Sequence, residues 1–547
     1  MKLETFFDKF DQFADAPDAV DKMRKLILRL AVQGRLKSQG YESGFPQVRM
    51  DSLGSWAQGC GFPVAEQGHA DRPILFAKVS DMNLPGNERE ILKTNHTIDE
   101  AAAKRLRTKV HPPGTVIFPK IGGAIATNKR RVLVRPTAID NNCSGIIPNK
   151  SCSTPWLFLV LSAIDFAEYQ SGTSIPAVNQ GALGEIEVSF PPLAEQKRIV
   201  AKVDELMALC DRLQAQQQER DTRHASLARA SLARFADAPT PANLPFLFHP
   251  SYAIPPADLR KSILTLAVQG KLVPQDPNDE PAQQALSGLE ARGGNAKTRR
   301  SVPTEVSRPD TLDLENLPES WVIESTARLL QLGAILDLKD GNHGANHPKV
   351  AEFTETGLPF ITAAQVSDDG WIDYDGAYKV SGEALKRLRV GFAKPNDVIY
   401  THKGSVGRVA ICNRECVLTP QTTYYRVNEE VLSSGFVRTC LLSPLFRDQV
   451  DLVKRQTTRD FVSINAQYQF FLRVPPLAEQ RRIVAKVEQL MALVDALETQ
   501  LTASRATAAN LLSALVAELT GNPDSDRGLT ENASRKAPRQ QAVHTQP

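Results

Sequence analysis

The sequence predicts an α+β protein in which two mixed α/β bodies are separated by long antiparallel coiled-coil helices, with an internal pseudo-twofold repeat. Three observations carry this reading. Nineteen residues occur almost identically twice, as PPLAEQKRIVAKVDELMAL from Pro191 and as PPLAEQRRIVAKVEQLMAL from Pro475. Both copies run into a heptad stripe, and each follows a stretch of short β-rich runs broken by Gly, Pro and Asn turns. At 547 residues the chain is also too long for one hydrophobic core, so several units are required.

The bulk numbers narrow the class without naming a partner. An apolar content of 42% and a charged content of 23% are those of an ordinary globular chain, and a formal charge of +3 is small for this length. Basic residues nevertheless cluster, in KRLRTK from Lys104, NKRR from Asn128, KTRR from Lys297 and KRLR from Lys386. Such runs are ordinarily solvated faces. The opening MKLETFFDKFDQF lacks an apolar core of signal-peptide length, and no run of about 18 apolar residues occurs, so the expected location is the cytoplasm, with no membrane span. Seven cysteines without framework spacing fit reduced thiols.

Taken in order, residues 1–43 form an N-terminal helical region. Met23, Leu26, Ile27 and Leu30 share one helical face, with Gly34 placed to end it. Residues 44–190 form the first body and 191–273 a central helical spacer. The motif LAVQG closes helical patterns at both Leu30 and Leu266, and FADAP occurs at Phe13 and Phe235. These early motifs recur 236 and 222 residues apart, whereas Val79 and Val366 stand 287 apart and Pro191 and Pro475 stand 284 apart. Something of about fifty residues is therefore inserted early in the second half. Residues 274–316, rich in Pro, Gly and charge, are the expected flexible linker. Residues 317–474 form the second body, 475–519 a C-terminal helical spacer, and 520–547 a polar tail expected to be disordered.

In the spacers Ile199, Val203, Leu206, Cys210 and Leu213 are spaced four, three, four, three, and Ile483, Val487, Leu490, Val494 and Leu497 repeat the rhythm. This is a coiled-coil seam, and the simplest partner for either stripe is the other copy.

A doubled PPLAEQ(K/R)RIVAKV heading a heptad helix, an element ILxLAVQGKLVPQ and two dissimilar bodies between them resemble the specificity subunit of type I restriction-modification systems. The resemblance covers the chain apart from the linker and tail. It implies a non-catalytic subunit of a restriction endonuclease and adenine methyltransferase complex that binds double-stranded DNA. Each body would be a target recognition domain reading one half of a bipartite site, and the helices would set the gap. Two methyltransferase subunits would dock on the helical frame, and restriction and translocase subunits would join through the complex. No cofactor is expected on this chain itself, because S-adenosylmethionine, ATP and Mg2+ belong to those partners. The alternative is a coiled-coil scaffold that binds proteins without reading DNA, which leaves the two matched bodies without a purpose.

Within the bodies, two strand-to-loop segments are the candidate DNA contacts. The first offers Lys120, Gly122, Gly123, Thr127, Asn128, Lys129, Arg130 and Arg131, and the second His402, Lys403, Gly404 and Arg408. Glycine lets a backbone approach a phosphate or base edge closely, and the cations can meet guanine acceptors or phosphate oxygens. A tight hairpin with solvated charges is the competing explanation. Gln421, Thr422 and Thr423 can read bases or can form the outward face of a strand. Before each spacer, Asn179 and Asn465 look equivalent, and Thr173, Lys454 and Arg459 are candidates for backbone phosphates, with domain closure the competing role.

Catalytic signatures are missing. PPLAEQ has neither the polar residue before the prolines nor the aromatic after them that an amino-methyltransferase motif needs, and Gly270-Lys271 lacks the first glycine of a phosphate loop. The pairs His343 and His347, and Cys412 and Cys416, have ligand-like spacing but sit in turn-rich sequence, so no metal site is expected.

Overall fold

The computed structural model describes residues 16, 18–36, 45–171, 176–249, 252–295, 302–303, 306–307, 317–456 and 460–520. Two compact units result, residues 1–220 with 503–547, and residues 221–502.

The first unit opens with α1 (Ala19–Val32), whose Met23, Leu26, Ile27 and Leu30 are all buried. The first body then runs β1 (Gln47–Arg49), β2 (Gly54–Gln58), β3 (Ile74–Ala77), β4 (Glu90–Ile91), β5 (His96–Ile98), α2 (Glu100–Arg105), β6 (Val116–Pro119), β7 (Arg131–Leu133), β8 (Thr137–Ile139) and β9 (Cys143–Pro148). It closes with α3 (Thr154–Ala163), the short β10 (Gln170–Ser171) and β11 (Ala177–Val178), α4 (Gln180–Gly184) and β12 (Glu187–Ser189). A five-stranded sheet has the order β2-β9-β6-β7-β4, and a three-stranded sheet has the order β5-β3-β8. Antiparallel pairing of β1 with β12 brings the two ends of the body together. The long helix α5 (Leu193–Asp237) follows.

The second unit takes α5 from Asp221 onward and continues through α6 (Pro256–Val268), α7 (Ala282–Ala291), β13 (Val322–Ser325), α8 (Thr326–Leu332), β14 (Ile335–Asp340), β15 (Leu358–Ile361), β16 (Tyr378–Val380), α9 (Gly382–Arg387) and β17 (Phe392–Ala393). Then come β18 (Val398–Thr401), β19 (Val409–Ile411), β20 (Cys416–Leu418), β21 (Thr422–Val427), α10 (Ser434–Leu442), α11 (Pro444–Val453), β22 (Arg455–Gln456), β23 (Asp460–Phe461), α12 (Ile464–Gln467), β24 (Phe471–Val474) and α13 (Leu477–Thr520). Its four-stranded sheet β14-β21-β18-β19 repeats β2-β9-β6-β7, and β16-β15-β20 repeats β5-β3-β8. The parallel pair recurs as well, β3 with β8 and β15 with β20. The β13 and β24 pair repeats the clasp of β1 and β12. Two bodies with divergent side chains therefore share one topology.

The helical frame also repeats, and each seam is covered by a short helix as well as by the far end of the other long helix. Ile199, Val203, Leu206 and Cys210 are buried in the core of the first unit with Met23, Leu26 and Ile27 of α1 and with Leu512 and Leu519 from the far end of α13. Ile483, Val487, Leu490 and Val494 are buried in the core of the second with Leu259 and Ile263 of α6 and with Ala228 and Phe235 from the far end of α5. Leu213 and Leu497 are half-buried at the margins. A short helix can cover a stripe as well as an equivalent helix can, since either removes the apolar face from water. Arg24 of α1 holds Asp211 of α5 at 2.7 Å, and Arg260 of α6 holds Asp495 of α13 at 2.6 Å, the same bracket in each unit. α5 starts in the first unit and ends in the second, and α13 starts in the second and ends in the first.

The repeated PPLAEQ has a structural job. Gln196 and Gln480 are both 0% exposed. The Gln196 amide donates to the carbonyls of Pro191 (2.9 Å) and Ser151 (2.9 Å), and its oxygen accepts from Ser153 N–H at 2.8 Å. Gln480 repeats the triad, donating to Pro475 (2.9 Å) and Val431 (2.9 Å) and accepting from Ser433 N–H at 2.7 Å. Each glutamine thus ties the start of a long helix to the loop that begins α3 or α10. Beside it, Glu479 is 1% exposed and accepts from Trp321 Nε1 at 2.9 Å and Gln275 Nε2 at 2.6 Å. Burial pushes its carboxyl up.

One sequence expectation changes. The stretch 274–316 is not linker throughout: α7 forms within it and buries Ala282, Leu286 and Leu289, while Asp279 holds Arg482 at 2.6 Å. Its few apolar residues have helical spacing, which a composition-based reading averages away. The KRLR runs end α2 and α9, and in each the first arginine is engaged: Arg105 pairs with Glu66 at 2.9 Å and Arg387 with Glu352 at 2.7 Å. The tail from 521 lies outside the described residues.

Two outcomes follow from these contacts. Gln480→Leu strands one buried N–H and two carbonyls, and lowers the unfolding free energy of its unit by roughly 1–3 kcal/mol, checked by denaturant titration of the full chain. The Arg387 guanidinium, with the Lys349 N–H, holds the Glu352 carboxyl at about 2 against an ordinary 4.5. Its contribution is complete above the ordinary value and is lost as pH falls toward 2. Glu352→Gln therefore gives a melting temperature that depends less on pH across that window than the wild type's.

Candidate nucleic-acid interface

The two candidate loops leave equivalent strands. β6 leads into residues 120–130 and β18 into 402–408, each joining the next strand of the sheet, β7 or β19. Each loop is stitched to a small hairpin. Gly122 N–H donates to Pro176 O at 2.7 Å and Val178 N–H to Lys120 O at 2.9 Å, while Gly404 N–H donates to Asp460 O at 3.0 Å and Val462 N–H to His402 O at 2.9 Å. The tips need glycine. Gly122 (φ 72) and Gly404 (φ 86) are left-handed, and a methyl added at either, or at Gly123, would meet nothing within 4 Å. The backbone there is open to an approaching surface.

The side chains divide sharply. Lys403 is exposed, its Nζ 5.8 Å from the Phe461 ring centre. Lys120 is half-buried, and Thr127 is exposed with its hydroxyl donating to Ala124 O at 2.7 Å. Lys129 is half-buried and meets Asn83. Arg408 is half-buried, paired with Asp368 at 2.8 Å and donating to Val366 O at 3.1 Å. Gln421 is half-buried, and its oxygen accepts from Ala363 N–H at 3.3 Å.

Six of the candidates are turned inward. Arg130 is 3% exposed, its guanidinium carbon 3.5 Å from the centre of the Phe166 ring. It donates to Leu161 O, Lys129 O, Ile164 O and Asn128 Oδ1. Burial brings its pKa down to about 9, and Asp165 offsets this in part. Arg131, 9% exposed, donates to Arg130 O and Met82 O. Asn128 adopts φ 47 and gives both ends of its amide to the interior, so it shapes the loop from within. His402 is 1% exposed, and its Nδ1–H donates to Val462 O at 2.9 Å. Burial lowers its pKa and keeps it neutral. Thr422 and Thr423 are both 0% exposed, because β21 lies between β14 and β18 and is covered on both faces. Thr423 accepts from Gln467 Nε2 at 3.2 Å.

Among the later candidates, Lys454 pairs with Asp460 at 2.7 Å. Arg459 and Thr173 lie outside the described residues. Asn179 caps α4 by accepting from Ala182 N–H, and the equivalent cap on α12 is Ser463, 284 residues later, rather than Asn465. Partners that the sequence left unread are Asn83, just after the first VSD motif, and Asp368, the last residue of the second, which restrain the loop cations Lys129 and Arg408. Only the recurrence of VSD hinted at them.

His343 pairs with Asp340 at 2.7 Å, and Cys412 lies 3.7 Å from Cys416 with Tyr374 donating to it at 3.5 Å. Among the described residues no group of three or more His, Cys, Asp or Glu is arranged to hold a metal. None of the described helices is long and apolar enough to cross a membrane.

Residues 79–220 match the family described as the type I restriction modification DNA specificity domain. The Escherichia coli type I restriction enzyme EcoAI specificity subunit is 25% identical over 349 residues, 60% of this chain and 57% of its own length. The EcoEI specificity subunit of the same organism is 24% identical over 352 residues, again 60% and 57%. The match thus spans less than two thirds of either relative. Among solved structures, the HsdS subunit from Thermoanaerobacter tengcongensis aligns with 88% of this chain and 98% of its own at 19% identity, with a TM-score of 0.43. The residues that match the DNA specificity domain all lie in the first unit, and similarity to type I specificity subunits extends over 60% of the chain's length.

Proposed function

We propose that the chain is the DNA-recognition subunit of a type I restriction-modification complex acting in the cytoplasm. Each body reads one half of a bipartite duplex site, and the two long helices fix the gap between the halves. The observation that carries this reading is the repeat of one body topology, four strands of one sheet and three of the other in the same order, when most of one copy falls in the matched residues 79–220. A single domain match extends in this way to two reading surfaces.

The chain catalyses nothing in this scheme. Two methyltransferase subunits dock on the frame, whose near-identical nineteen-residue segments offer the same surface twice, and restriction and translocase subunits join through that complex. S-adenosylmethionine, ATP and Mg2+ are carried by those partners. The open tips at Gly122–Gly123 and Gly404, with Lys403, Lys120 and Thr127, are the surfaces offered to DNA. Lys129 and Arg408 are held in place by Asn83 and Asp368. Arg130, Arg131, Asn128, His402, Thr422 and Thr423 act beneath that surface by fixing the loops.

Methylation sequencing of a host with and without the gene tests the reading: a split motif vanishes on loss of the gene, and an unchanged methylome sinks it. Duplicating LAEQ within one spacer adds about one helical turn and changes the gap while both half-sites persist. Lys403→Ala weakens duplex binding across sequences and reduces the salt dependence of log K by about one. An unchanged salt slope would remove Lys403 from the contact surface.

A further inference from the structure

Beside the end of the loop 402–408 of the second body stands a tight hairpin, Val366 to Ile372, which leaves an indole exposed on the segment that follows its turn. Val366 and Ile372 form its bridge, Ser367 N–H donates to Trp371 O at 2.9 Å, Gly370 N–H donates to Ser367 O at 3.2 Å, and Trp371 N–H donates to Ser367 Oγ at 2.9 Å. Gly370 adopts φ 80 with its Cα face against Val409 O and the Arg438 guanidinium. Two arginines clamp the turn: Arg408 takes the Asp368 carboxylate at 2.8 and 3.2 Å, and Arg438 donates to Asp369 O at 3.3 Å. The hairpin is thus fixed to the end of the candidate loop by Arg408. Its shape is set by backbone, glycine and arginines, and none of these contacts uses the indole ring.

Trp371 is 67% exposed, whereas Trp156 and Trp321 are 0% and 4% exposed and Trp56 is half-buried. A rigid turn that displays the largest apolar side chain while burying Ile372 and Tyr374 is built to present that ring to a partner. We infer that Trp371 is a specificity-determining contact of the second body, laying its ring against base edges in a DNA groove beside the loop that ends at Arg408. This rests on the DNA-reading function proposed above. An uncharged ring cannot pair with a phosphate, and the Asp369 carboxylate beside it is exposed, so the contact open to Trp371 is with a base, where an apolar ring discriminates by touching a thymine methyl or by wedging at a base step. The first body has no counterpart. Counting back the 287 residues that separate the two VSD motifs from Trp371 gives Leu84, which is half-buried. Only the half-site read by the second body should feel this residue.

The test uses the full chain with its methyltransferase partners and a short duplex carrying the motif found by methylation sequencing, beside a scrambled duplex. Iodide quenching of tryptophan emission reports Trp371 first, since it is the most exposed of the four tryptophans. The expected result is that motif duplex shields the emission from iodide and that Trp371→Ala abolishes the iodide-sensitive fraction. That variant should also weaken motif binding roughly 10-fold without altering the salt slope, the scale of losing one ring-to-base contact. Trp371→Phe restores most of the affinity, and methylation by the Trp371→Ala complex relaxes at a base of one half-site only. Emission that stays iodide-sensitive on a bound motif duplex, or shielding by the methyltransferase alone without DNA, overturns the assignment while leaving the DNA-reading function intact. If the wild-type complex retains neither duplex, the recognition function falls and the assignment with it.

Discussion

The buried glutamine of PPLAEQ is the constraint on which the rest of the structure depends. A primary amide has two donor hydrogens and an acceptor oxygen, and Gln196 and Gln480 each place all three in a water-free joint. One bond closes the helix start on its own prolines. The other two reach the segment that begins α3 or α10 in the body. Because an unpaired polar group in such a place costs far more than a formed bond returns, the joint tolerates one geometry only. Helix and body within each unit therefore move as one piece, and a contact made by a loop tip is made at a set angle to its helix. The ion pairs from Arg24 and Arg260 brace the same helices from the other side.

Much of the fold was legible because it is written twice. The heptad spacing from Ile199 and from Ile483 identified the long helices, and the changing offset between motifs located the insertion. What the spacing could not supply was the stripe's partner: an apolar face reports that it is covered, not by what, and here α1 and α6 take part in covering it. The insertion was misjudged for a related reason. Leu286 and Leu289 carry a helical turn into the core, but three buried positions vanish in an average over a polar stretch.

The site was legible as two loops and not as a set of side chains. Glycine placement gave the open tips, a backbone property that survives without knowledge of the tertiary structure. Whether a cation beside them points outward depends on residues far along the chain. Arg130 is taken inward by Phe166 and by the carbonyls of Leu161 and Ile164, and Thr422 is covered because its strand is central rather than at an edge. A basic run of four, NKRR, thus contains half-buried Lys129 next to two arginines that serve the interior. Asp368 and Asn83 show the converse, ordinary polar residues whose work is to hold the cations of those loops.

The pairing of β1 with β12 and of β13 with β24 means that each body leaves its frame where it enters. Segments between such a pair of strands that stay clear of the core shared with the frame can lengthen or shorten without altering the path of the chain on either side. The architecture therefore behaves as a holder for interchangeable cassettes. Drift in an exposed loop leaves the holder's own folding untouched, and the near-identity of the two holders beside the divergence of their contents is what that insulation would leave behind.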